Sequence, residues 1–176
     1  MNRRGWGRCL AAAAALLAAV VLLPPAVGAS APAPAGSRPS AIAKMVCQRK
    51  AAAEIRDALG ERATISAPTW THHRYACTYQ YRTGTLTLSV QELSNWRETY
   101  RYFDGLARSL HRTRPIFELG QGAFRVRNGS IVVRKDWKVL LVDVSRLPSR
   151  FGSPPSSASE VALAVAGVIM DCWHGD

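Results

Sequence analysis

FRVRNGSIVVRKDWKVLLVDV, residues 124–144, holds three extended segments separated by two tight turns. Phe124 to Arg127 and Ser130 to Arg134 flank Asn128-Gly129. Asn-Gly between two strands is the strongest short hairpin signal, because both residues accept the positive φ that such a turn requires. Lys135-Asp136-Trp137-Lys138 supplies a second turn. Val139 to Val144 is the most apolar of the three segments, which predicts a central strand covered on both faces. A three-strand antiparallel meander follows.

Upstream, Tyr75, Cys77, Tyr79 and Tyr81 alternate on one side of a strand, and Leu86, Leu88 and Val90 alternate on a second. Thr83-Gly84 between them marks a hairpin. The tyrosine row is either a sugar-stacking platform or a helix-packed sheet face, and the second reading is preferred. After Pro115 the chain becomes extended again, and Gly120-Gln121-Gly122 forms a tight turn. No Gly-Lys-Ser/Thr follows that turn, so it is not read as a phosphate loop.

Helical periods join these strands. Lys44 to Leu59 places Met45, Ala52, Ile55 and Leu59 on one face, with Cys47 beside it and Gly60 as a stop. Trp96, Tyr100, Phe103, Ala107 and Leu110 recur at helical steps and are expected to be core, with Arg97, Arg101 and Arg108 facing solvent. Asn95 can cap this helix, with Glu98 three residues on. Pro148 to Ser159 reads as a loop, after which Ser157 or Ser159 caps a last helix. Its expected buried stripe is Val161, Val165, Val168 and Cys172. The predicted fold is α+β: an antiparallel sheet of about five strands flanked by about three helices.

The first 29 residues have the parts of a secretory signal peptide. Arg3, Arg4 and Arg8 precede an uncharged apolar run of 14 residues from Leu10 to Leu23, and Val27-Gly28-Ala29 offers a cleavage site. The run is shorter than the roughly 20 residues that span a bilayer. Membrane attachment would therefore come only through an uncleaved leader. Arg3-Arg4 is also a weak twin-arginine signal. Residues 30–40 read as a flexible Ala/Pro/Ser linker, and residues 41–176 as a single domain. The expected localisation is secreted or cell envelope.

Lysine and arginine total 23 against 12 acids, a formal charge of +11. Cleavage removes three arginines and leaves 20 − 12 = +8. Such a chain is attracted to anionic envelope polymers. The arginines are scattered, so a solvated surface is favoured over nucleic-acid binding.

Cys47, Cys77 and Cys172 remain after cleavage, and an oxidising compartment favours one disulfide. Both Cys47–Cys77 and Cys77–Cys172 fit the sequence. No Cys-x-x-Cys occurs, and His72-His73 and His174 have no metal-ligand spacing, so neither a metal nor a cofactor is expected. No Gly-x-Ser-x-Gly is present. Asp143, a lone acid in an apolar strand, is read as paired with an arginine or a backbone donor. With His111 it is the one weak pointer to a secreted hydrolase with an unrecognised site.

An N-terminal cysteine on a helix (Cys47), the Tyr75, Cys77, Tyr79 strand and the turn Leu119-Gly120-Gln121-Gly122-Ala123 follow a leader and a Pro/Ala spacer. In these features the chain resembles small exported proteins and lipoproteins of actinobacteria with a domain of unknown function. It is more loosely similar to the extracellular sensor domains of actinobacterial Ser/Thr kinases. The resemblance implies helices flanking an antiparallel sheet, a Cys47–Cys77 bridge and no catalytic residues. The function expected is an exported, non-catalytic binding domain whose partner is an envelope protein or an anionic polymer. Its contact loops would be the turn at Gly120, Gly122 and Phe124 and the loop at Phe151 and Pro154. The alternatives are the hydrolase and a protein that docks on anionic polymer through its basic surface.

Overall fold

The structure is a computed structural model and describes residues 36–173. The leader at residues 1–29, most of the linker, and His174 lie outside the described residues. Two helices come first, α1 (Ala41–Met45) and α2 (Arg49–Leu59). Four strands follow: β1 (Thr64–Ile65), β2 (Thr69–Thr71), β3 (Arg74–Tyr81) and β4 (Gly84–Glu92). Helix α3 (Trp96–Ser109) leads to β5 (Arg112–Ile116), β6 (Gly122–Val126), β7 (Ile131–Lys135) and β8 (Lys138–Arg146). A small ribbon, β9 (Arg150–Phe151) and β10 (Ser156–Ser157), precedes α4 (Ala158–Cys172).

The fold is α+β, with an antiparallel sheet of eight strands in the order β1-β3-β4-β8-β7-β6-β5 and β2 also on β3. The five expected strands are all present and β8 is central. The sheet is larger than expected because β1, β2 and β5 border it. Two- and three-residue strands carry no readable period. β5 carries Pro115, a residue tolerated on a border strand, where a missing N–H breaks no inner ladder. It starts at Arg112, so the extended chain begins before Pro115.

Helices α1, α2 and α4 cover one face. Ile55, Leu59, Tyr79, Leu88, Leu140, Val165, Ile169 and Trp173 form one buried cluster there. Helix α3 covers part of the other face, where Phe103 and Leu106 pack on Phe124, Val126, Val132 and Val139. Full burial of one such apolar side chain contributes about 1.5–3 kcal/mol.

The first helix is broken where a single one was expected. At the break, the Val46 carbonyl accepts the Tyr79 hydroxyl at 2.6 Å. Cys47 bonds to Cys77 there, with Cα atoms 5.9 Å apart. The chain thus gives up one helical turn to tie itself to β3, and Cys172 is the free cysteine among the described residues. Cys172 is not on the buried stripe of α4 as expected. Val161 and Val165 are buried as expected, Ala162, Ala166 and Ile169 complete that stripe, Val168 is only half-buried, and Cys172 turns aside, its Sγ donating to Glu54 Oε2 at 2.7 Å. That bond first, and burial second, raise its pKa. Nor is the end of the linker free. Ser37 offers its carbonyl to the Trp70 indole at 3.1 Å, and Ser40 caps α1 and bonds the buried carboxylate of Glu92.

The tyrosine row packs under α1 and α2. Burial is the main cause that raises the pKa of Tyr79 and pushes Tyr81 from 10.0 up to about 12. The fold favours the neutral phenols, so their contribution is complete below the unfolded value of 10.0 and is lost as pH rises through the folded value. Phenolate absorbance at 295 nm is therefore expected to show a late class of tyrosines that ionise only as the near-ultraviolet circular dichroism collapses. Ionisation of all five near pH 10 in a folded protein would contradict this burial.

Candidate functional site

Residues alternate in β7, so Ile131 and Val133 face the large core while Val132 and Arg134 face α3. Arg134 is 7% exposed. Its guanidinium carbon lies 4.4 Å from the Tyr100 ring centre, 5.4 Å from that of Trp96 and 5.8 Å from that of Phe103. Desolvated cation–π contacts of this kind contribute roughly 2 kcal/mol. The guanidinium has no acid partner. Nη2 donates to the Gln121 carbonyl, and Nε is buried without a partner.

Gly122 pairs with Arg134 across the β6–β7 ladder. A Cβ at Gly122 would stand 3.3 Å from Nη2, so the guanidinium lies close beside a position that has no side chain. The preceding Gly120 has φ +62°, and a Cβ there would meet the Val133 side chain at 2.7 Å. The turn is locked to its neighbour. Gln121 N donates to the Arg134 carbonyl at 2.8 Å, and Gln121 Oε1 accepts from Asp136 N at 2.9 Å.

The expectation that Trp96 and Tyr100 are core is corrected here. They are 41% and 49% exposed, because the sheet residue beneath them is Arg134 rather than an apolar one. Their rings lie 5.9 Å apart. Phe117, 82% exposed, follows Ile116, which pairs with Ala123 next to Gly122. Three of the four exposed large apolar side chains among the described residues thus surround one end of β6. They form an aromatic corner on a fixed turn, over a buried cation.

Of the expected contact residues, Gly120 and Gly122 build this corner. Phe124 does not reach the surface: it is 1% exposed and packs edge-on against Phe103, with ring centres 4.9 Å apart. Phe151 is also buried, against Tyr81, whereas Pro154 is exposed together with Ser153 and Pro155.

A second concavity lies at the far end of β6. A cleft of about 650 Å³ is lined by Arg114, Arg125, Arg127, Asn128, Ser145 and Ser159 among others. The Asn128-Gly129 tip forms its wall, close enough to α4 that a Cβ on Gly129 would meet Ser159 N at 3.1 Å.

Asp143 accepts from Ser130 Oγ at 3.2 Å and from Ser145 N at 2.9 Å, so its partners are a hydroxyl and a backbone donor. His111 sits exposed beyond α3 with φ 55°, and no bond joins it to Asp143. His72 and His73 are both exposed, in a left-handed turn. Among the described residues, no group of three or more His, Cys, Asp or Glu is placed to hold a metal, and no helix is long and apolar enough to cross a membrane.

Sequence reasoning found the turn at Gly120 and Gly122 but not the aromatic side chains beside it, and it missed the cleft. The aromatic corner had one readable signal, a lone arginine at the α3-facing position of an apolar strand. The cleft had another, the alternation of Arg125 and Arg127 beside the hairpin turn. No protein-family model, curated protein or solved structure matches the chain.

Proposed function

We propose that the chain is an exported, non-catalytic binding domain of the cell envelope or extracellular space that engages its partner through the aromatic corner. The observation that carries this reading is the grouping of Trp96, Tyr100 and Phe117 around a turn pinned by hydrogen bonds. Exposed apolar groups that cluster on a rigid scaffold are the usual anchors of recognition surfaces. Export is supported by the leader-like residues 1–29 and by a disulfide, a bond that persists in oxidising compartments. The resemblance to exported actinobacterial proteins belongs to the same proposal. The partner proposed is an envelope protein, with an anionic polymer as the second choice.

The test is co-sedimentation of the purified protein with the envelope fraction of its host. A Trp96→Ala, Tyr100→Ala double variant is expected to lose binding by about 30-fold or more, since a single anchor commonly contributes about 2 kcal/mol. Its near-ultraviolet spectrum and melting temperature check that the fold survives. Unchanged binding by the folded variant would overturn the proposal. Loss of wild-type binding at high salt would move the partner from protein to polymer, because charge attraction is screened over about 10 Å at 0.1 M salt.

A further inference from the structure

The cleft at the other end of β6 has a different chemistry. Its lining contains three arginines and no acid. None of the three guanidiniums makes a hydrogen bond or ion pair among the described residues, where the ion pair found is Arg56–Asp57 on the surface of α2. Arg125 is half-buried, and its Nε is shielded from water without a partner. An arginine held this way is incomplete, since a shielded donor with nothing to bond costs about 1–3 kcal/mol.

Two acids lie nearby, and both are committed elsewhere. Glu160 accepts from the Ser157 hydroxyl and backbone at 2.7 Å each, closing a capping box on α4. Those bonds first, and the charges of Arg150 and Arg125 after them, lower its pKa. Because that carboxylate already occupies the helix end, α4 is a wall of the cleft and not its source of attraction. Asp143 is held by Ser130 and Ser145.

We infer that this cleft is an oxyanion site for a phosphate-bearing ligand. Three guanidiniums with the Asn128 amide and the Ser145 hydroxyl offer more donors than one planar carboxylate can use. A phosphate, with more acceptor oxygens and up to two charges, matches them. The volume of about 650 Å³ leaves room for an organic group that carries the phosphate, within the ~300–1,000 Å³ of small-molecule sites. The site is independent of the aromatic corner. β6 spans five residues between the two places, about 15 Å of strand.

Calorimetry in a chloride buffer tests this on protein purified from its host, with inorganic phosphate, glycerol 3-phosphate, poly(glycerol phosphate) and acetate as probes. Saturable one-to-one binding of glycerol 3-phosphate, at least about tenfold tighter than acetate, is expected. Arg125→Gln and Arg127→Gln should each weaken it about tenfold or more, while Arg108→Gln on the outer side of α3 should leave it unchanged. Should Arg125→Gln fail to fold, Arg127→Gln carries the test, because Arg127 is exposed at the hairpin tip. Equal per-phosphate affinity for monomer and polymer assigns the phosphate to a small ligand. Much tighter binding of the polymer assigns it to an envelope polymer. Either result supports the site. No saturation by any phosphate probe, acetate binding as tightly, or an equal loss in Arg108→Gln would each overturn it.

Discussion

Replacing Trp173 by alanine is expected to lower the free energy of unfolding by about 3–5 kcal/mol. The residue stands three positions from the last of 176, where side chains are usually expendable. Here it is 1% exposed, among the largest buried side chains, and belongs to the same cluster as Ile55 and Leu140. Its carbonyl also accepts the Lys135 ammonium, which ties the end of α4 to β7. Truncation to alanine would leave a void in that cluster, and the neighbouring strand backbones cannot collapse to fill it. Urea unfolding followed by circular dichroism measures the loss. Leu163→Ala, on the exposed side of the same helix at 39% exposure, is the control and should change stability by no more than about 1 kcal/mol. A loss below about 1 kcal/mol for Trp173→Ala would mean that the indole is not part of the core.

Removal of the disulfide is the second large effect. The Cys47→Ser, Cys77→Ser double variant is expected to lose about 3–4 kcal/mol, the chain-entropy value for a separation of 30 residues. The bridge joins the α1–α2 break to β3, beside the Tyr79 hydroxyl bond to Val46. Its absence releases helices that otherwise hold the sheet through side-chain packing. Cys172→Ser keeps a donor for Glu54 and should move the melting temperature little. Melting with and without reductant, on wild type and both variants, separates these contributions. Equal melting of reduced and oxidised wild type would show that the bridge contributes nothing. A large loss in Cys172→Ser would show that the sulfur contributes through more than the hydrogen bond to Glu54, which the serine keeps.

Period and turn chemistry made the sheet centre readable. The alternation from Tyr75 to Val90, Asn128-Gly129 between strands, and the apolar run before Asp143 each correspond to an observed strand or turn. The borders were not readable, because Thr64–Ile65 and Thr69–Thr71 are too short to alternate and β5 reads Arg-Thr-Arg-Pro. The helix break at Val46 to Gln48 was hidden because alanine and lysine on both sides favour helix, and only the contact with β3 interrupts it. Helical spacing placed Trp96 and Tyr100 on the face of α3 that meets the sheet. It could not say what the sheet presents to them. One charged residue, Arg134, turns two core positions into surface. Phe124 and Phe151 fail in the opposite way: each adjoins a glycine-containing turn, yet its alternation in the strand points it inward. The aromatic corner was therefore legible as a turn but not as a surface.

The two borders of the sheet bear on how this molecule behaves in a crowd. On one side runs β5, where Arg112, Arg114 and Pro115 are all exposed. On the other side β1 and β2 share the flank of β3 as two short pieces, interrupted at residues 66–68. A strand offered by a neighbouring molecule would find a ring without an N–H and two repelling cations at the first, and no continuous ladder at the second. Copies at high local concentration are thereby discouraged from joining sheet to sheet. An eight-stranded sheet rich in valine can stay dispersed without a chaperone to mask its rims.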